Sequence, residues 1–152
     1  MTTLPEADAE TRAFFEAWLE RFAGFVREVD YASARPLWHE DVVIFGTHQD
    51  VRQGREEIIA TQWDNVWPKT ADFRFDPRAA RVLASDDGSL ATVIAPWTST
   101  GFHPDGTRFD RPGRATLVFH RGGGEWKVVH SHMSLNRGVP QASHADRPVK
   151  AR

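Results

Sequence analysis

Near the end of the chain Trp126, Val128, His130, His132 and Ser134 stand at every second position. In an extended strand that spacing sets the side chains on one face, so two imidazoles and a hydroxyl share a surface. Gly122-Gly123-Gly124 separates them from a second alternating run with Arg114, Thr116 and Val118. A hairpin closed on the glycine triplet sets Val118 opposite Val128, Thr116 opposite His130 and Arg114 opposite His132. The chemistry open to such a cluster is proton transfer by one imidazole beside a guanidinium fork that fixes an anionic or carbonyl group. His130 and His132 are therefore the candidate acid/base residues, and Arg114 and Ser134 candidate ligand-binding residues. The same four side chains also read as a satisfied hydrogen-bond cluster that pins the sheet register, and both readings stay open.

His130-x-His132 is also half of a cupin-type metal site. A closed shell needs three or four donors, and only Glu125 and His120 are near, with no carboxylate from Met133 to Gly138. No metal is expected. No cofactor is expected either, because the chain has no glycine-rich phosphate cradle and no nucleophile elbow. Trp97 follows Pro96, which cannot donate to a ladder, so a bulge or edge there turns the indole toward a pocket entrance. Trp18, Trp38, Trp63 and Trp67 have the spacing of core rings on helices, and Trp63 is counted with the binding candidates as well. His48, with Asp50 in the loop after a short β-rich run, joins those candidates against a background in which most loop residues are simply solvated.

These groups need elements to hold them. From about Glu6 to Val29 the apolar residues Phe14, Phe15, Trp18, Leu19, Phe22, Phe25, Val26 and Val29 make one wide stripe of an amphipathic helix. A short second helix follows, capped by Asp30 or Ser33, with Pro36 in its first turn and its end at His39-Glu40-Asp41. Val42 to Phe45 is a strand closed by Gly46, and Gly54-Arg55-Glu56-Glu57 opens a third helix that Pro68 stops. Thereafter the period is two: Phe73–Ser85, Ser89–Phe102, Thr107–Arg121 and Glu125–Leu135 are strands between turns at Asp86-Asp87-Gly88, Pro104-Asp105-Gly106 and the triple glycine. Helices first and an antiparallel meander behind them predict α+β, with the helices on one face of a curved sheet. Residues 9–137 form the domain, 1–8 a flexible N-terminus and 138–152 a flexible polar tail.

The 152 residues suit one core, and six Trp and ten Phe against one Tyr make its aromatic set apolar. With 19 basic and 21 acidic residues there is no positive footprint for nucleic acid or an anionic membrane. The absence of cysteine excludes a disulfide framework and thiol chemistry and fits a reducing cytoplasm. No apolar run approaches the ~20 residues a membrane span requires.

The stretch Arg114-Ala-Thr-Leu-Val-Phe-His-Arg-Gly-Gly-Gly-Glu-Trp-Lys-Val-Val-His-Ser-His-Met-Ser resembles the ending of SnoaL-like domains in the nuclear transport factor 2-like superfamily, and is similar to the association domain of calcium/calmodulin-dependent protein kinase II. The likeness runs back through Phe75-Asp76-Pro77, the two Asp-Gly turns, Gly54-Arg55-Glu56 and the first helix, over most of residues 10–136. It implies three helices on a strongly bent antiparallel sheet, a conical pocket, and a homodimer or higher homo-oligomer built through the sheet. It implies no single reaction, since the fold hosts isomerases, cyclases, dehydratases, lyases and silent binding modules. In ketosteroid isomerases a catalytic acid ends the strand after the second helix, where this chain has Gly46. The cyclases place a carboxylate on the late strands, where this chain has Arg114, His130 and His132. One pocket arginine of the kinase domain aligns near Leu117, with Arg114 as its substitute. Two functions follow: a cofactor-independent proton-transfer enzyme acting on a small molecule through His130 or His132, or a non-catalytic ligand-binding or oligomerisation module.

Overall fold

A computed structural model describes residues 2–152 of the chain. Helix α1 (Ala9–Glu28) starts where the Asp8 carboxylate accepts from Thr11 N at 2.8 Å and ends where Val29 turns left-handed at φ 53°. Its stripe of Phe15, Trp18, Leu19, Phe22 and Val26 is buried. Helix α2 (Tyr31–Ala34), capped by Asp30, runs into a 3-10 turn (Arg35–Leu37) holding Pro36. Strand β1 (Trp38–Phe45) begins at once. His39-Glu40-Asp41 is thus not a helix end but an exposed irregularity inside β1, between its pairing at Trp38 and at Val43.

After β2 (Arg52–Gln53) comes one irregular helical path: α3 (Arg55–Ile58), a π turn (Ile59–Trp63), α4 (Asp64–Val66) and a 3-10 turn (Trp67–Lys69). The wider π turn brings neighbouring Gln62 and Trp63 inward together. The remaining strands are β3 (Ala71–Phe75), β4 (Arg81–Ala84), β5 (Leu90–Phe102), β6 (Arg108–Asp110), β7 (Gly113–Gly122) and β8 (Glu125–Leu135). Two expected long strands are therefore each broken, the first at Asp76-Pro77 and the second at Arg111-Pro112, because proline removes a ladder donor. The sheet runs β2-β1-β8-β7-β5-β3, with β4 and β6 also on β5, and it is not closed. All pairs are antiparallel except β1 on β8, which is parallel, so the sheet is mixed.

The last hairpin differs from its expected register. Gly122 pairs with Glu125, leaving Gly123 and Gly124 alone in the turn at φ 61° and 85°, the positive values a two-residue hairpin needs. Phe119 then pairs with Val128 but Val118 with His130, so Val129 is an unpaired bulge. Beyond it Thr116 lies opposite His132 and Arg114 opposite Ser134, a shift of two residues from the glycine-centred pairing.

Both ends lie along the body. Ala7 N donates to Val82 O at 2.9 Å and Ala84 N to Pro5 O at 2.9 Å, so residues 5–7, expected as part of a loose terminus, line the edge of β4. Residues 138–152, expected as a loose tail, follow the helix ends and are pinned by hydrogen bonds from Gln141 to Ala151. Met1, the first residue of the expected flexible N-terminus, lies outside the described residues. No described helix is long and apolar enough to cross a membrane.

Candidate functional site

Between the helices and the inner face of the sheet lies a cavity walled by Phe22, Trp38, Trp63, Trp67, Phe73 and Trp97. It is narrow, about 40 Å³. Since one water needs roughly 10–15 Å³ and a cavity that takes a benzene ring is roughly 150 Å³, it holds a few small atoms as it stands, and a ring enters only as the aromatic walls part.

Its charged residue is Arg111, in the two-residue break between β6 and β7. Arg111 and Ser99 exchange backbone hydrogen bonds at 2.9 and 3.0 Å, which continues the strand alternation across the break. That phase puts Arg111 on the same face as Ala115, Leu117 and Phe119, and the whole residue is only 3% exposed. Gly113 makes room beside it: a Cβ there would lie 2.2 Å from the Trp97 ring. Trp97 instead fills that space and lies with its ring 5.6 Å from the guanidinium carbon.

The guanidinium has one hydrogen bond, Nη2 to Thr47 Oγ1 at 3.3 Å, and Nε has none. No carboxylate among the described residues pairs with it, and burial pulls its pKa down to about 10. It therefore stays charged at neutral pH. Gln62 Nε2 donates to the same Thr47 oxygen at 3.4 Å, while Gln62 Oε1, Trp38 Nε1 and Trp97 Nε1 are buried without partners. Four unsatisfied polar atoms thus border one cavity, and each such group costs about 1–3 kcal/mol until something pairs with it. Gly46, which follows β1, lies so close to Gln62 that a Cβ there would sit 3.0 Å from the amide.

The sequence candidates divide between two faces. Trp63 and Trp97 line the cavity, Trp97 as deep wall rather than entrance. His130, His132, Arg114 and Ser134 do not line it, because the Val129 bulge exchanges the faces of β8: Trp126 and Val128 point inward before it, Ser131 and Met133 after it. The four candidates come together on the outer face. There Arg114 Nε donates to Ser134 Oγ at 3.0 Å, His130 Nδ1 lies 2.8 Å from Val43 O, and the rings of Phe45 and His132 are 4.2 Å apart. His48 lines a second compartment of about 420 Å³ outside the cavity, which shares Arg111, Thr47, Val66 and Thr70 with it. Among the described residues no group of three or more His, Cys, Asp or Glu is placed to hold a metal. Arg111 escaped the sequence reading, though a signal was present: it lies four, six and eight residues before Ala115, Leu117 and Phe119.

The family model for the SnoaL-like domain matches residues 15–137. No curated protein matches the sequence. Among solved structures, a Xanthomonas campestris protein provisionally described as a calcium/calmodulin-dependent protein kinase II association domain aligns at 22% identity over 91% of this chain and 95% of its own, with TM-score 0.68. A nuclear transport factor 2-like superfamily protein of Salmonella enterica aligns at 18% identity over 88% and 97%, with TM-score 0.69. A Streptomyces avermitilis protein provisionally described as a dehydratase of the nuclear transport factor 2-like family aligns at 20% over 85% and 97%, with TM-score 0.66. At these identities the likeness establishes the fold.

Proposed function

The chain belongs to the SnoaL-like domain family, and we propose that within it this protein is a cofactor-independent small-molecule pocket protein that takes an organic acid, its carboxylate on Arg111 and its apolar part among the tryptophans. The observation that carries this reading is a buried guanidinium with no carboxylate partner. A fold does not keep such a charge out of water without return, and a bound anion with two oxygens supplies the missing partner for Nε and a second one for Nη2 in one bidentate contact. Trp38 and Trp97 offer two further donors at the same wall. Calorimetric titration of 3-phenylpropanoate checks it: the acid binds the wild-type chain, its neutral amide binds at least tenfold more weakly, and Arg111→Gln loses the difference. Equal binding of acid and amide to the wild-type chain would refute it.

A second reading, an enzyme of proton-transfer type, is favoured by His48, whose imidazole borders the compartment onto which Arg111 opens. The Streptomyces neighbour's description as a dehydratase is consistent with it. A base beside an anchored acid is positioned to take a proton from the carbon next to the carboxylate. Exchange of that hydrogen for deuterium, followed by NMR, is then catalysed by the wild-type chain and lost in His48→Ala. Its persistence in His48→Ala, or its absence in the wild type, removes this reading and leaves the binding module.

The acid/base assignment of His130 and His132 would require a ligand on the outer face, where Arg114 Nε already donates to Ser134 Oγ. That face better suits a second copy of the chain in a homodimer or larger ring, as the association-domain description of the Xanthomonas neighbour suggests. The cysteine-free sequence suits a cytoplasmic setting.

A further inference from the structure

The segment after β8 runs past the Thr47 loop and along the ends of the two helical paths. Gln141 Nε2 donates to Thr47 O, and Ser143 Oγ bridges Lys69 O and Phe102 N. Further on, Arg147 spreads over three carbonyls, Thr70 O at 2.5 Å, Arg27 O at 2.6 Å and Trp67 O at 2.9 Å. Arg27 lies in the last turn of α1, and Trp67 opens the 3-10 turn that ends the second helical path, so one guanidinium caps the negative ends of both. Lys150 N donates to Val29 O at 3.1 Å and Tyr31 N to Ala151 O at 2.9 Å. A mostly polar segment, with Val149 packed against the core, is held along its length by hydrogen bonds to helix ends and strand ends.

We propose that this strap is a wall of the ligand site and that the occupant is a dicarboxylic acid, with one carboxylate on Arg111 and the other beneath the strap beside Lys69. The inference rests on the reading of Arg111 as an anion anchor. Gln141, Ala142 and Ser143 line the outer compartment, which meets the aromatic cavity at Arg111 and Thr47. Without the strap that compartment would be open rim. Its lining holds Arg111, Lys69 and His48 and no Asp or Glu, and Lys69 has no ion pair among the described residues. Two cations facing one compartment with no acid in its lining favour a dianion over a monoanion. The strap is also tied to the anchor itself: Gln141 holds the backbone of Thr47, whose hydroxyl receives both Arg111 and Gln62. The family match ends at residue 137, just before the strap.

The probes are 3-phenylpropanoate and phenylsuccinate, which has the same phenylpropanoate skeleton with a second carboxylate. Both are titrated calorimetrically into the full chain and into Lys69→Gln, Gln141→Ala and Arg147→Ala. The wild type prefers phenylsuccinate at least tenfold, and in each variant that ratio falls below threefold. Equal affinities in the wild type, or a ratio retained in Gln141→Ala and Lys69→Gln, overturn the proposal. If Arg147→Ala unfolds, the other two variants still decide it. Binding of 3-phenylpropanoate that depends on Arg111 but shows no dianion preference defeats the strap proposal alone, whereas binding of neither acid, or binding indifferent to Arg111→Gln, defeats the anion reading beneath it.

Discussion

Arg111 is held where an arginine is costly. Below pH about 10 it carries its charge in the folded state as it does unfolded, but without its full hydration. A basic group with a depressed folded pKa destabilises the fold at all lower pH, and the penalty lifts only as pH rises from about 10 toward the ordinary arginine value. Arg111→Met removes it. The variant, without ligand, is expected to unfold at a higher temperature than wild type, by the equivalent of about 1–3 kcal/mol after allowance for the lost Thr47 bond and Trp97 stacking. It also loses acid binding. A lower melting temperature at pH 7 would show that the guanidinium is a structural pin rather than a site waiting for its anion. At this scale the sequence was partly legible: strand phase alone aligns Arg111 with Leu117 and Phe119, but the proline at 112 hides that the phase survives the break.

The element that decides which side chains meet the ligand is β8, and within it the single extra residue at Val129. Alternation along a strand is reliable only while the ladder is unbroken, and a bulge inverts every position beyond it. The two-residue turn at Gly123-Gly124 moves the register by one and the bulge by one more. Deleting Val129 tests which residue is skipped. Its removal makes the pairs Phe119–Val128 and Val118–His130 consecutive on both strands, so Ser131 and Met133 keep their inward places and His130 and His132 stay outside. Urea unfolding of the deletion variant is therefore expected to stay cooperative and within about 2 kcal/mol of wild type, the range of an ordinary point change. Loss of cooperativity would show that Val129 is a paired residue rather than the extra one. Nothing in the local sequence of Lys127-Val128-Val129-His130 distinguishes the skipped residue from its neighbours. The parallel pairing of β1 with β8 makes the demand, because Trp38 sits opposite Val128 and Val43 opposite His130.

At the scale of the molecule, the outer face of the sheet carries rows that cross four strands. Ile94, Thr116, His132 and Phe45 are successive partners in one, and Thr92, Val118, His130 and Val43 in the next. Ile94 is 43% exposed and Leu90 44%, which leaves an apolar band for a second copy to cover. A native mass spectrum is expected to show a dimer or closed ring, and Ile94→Glu to reduce it to monomer with unchanged circular dichroism. A monomeric wild type at micromolar concentration would remove the oligomer proposal. The amino-acid sequence by itself determined the α+β class, the long apolar-striped first helix, the hairpin turns and the family, because each is written in local periodicity or in a contiguous motif. Tertiary structure alone decided that the paired histidines face outward, that Arg111 is the buried charge, and that the last fifteen residues form a strap. Those outcomes depend on register, on one bulge and on hydrogen bonds between residues up to 122 positions apart, such as Lys150 to Glu28, where no local pattern carries the information.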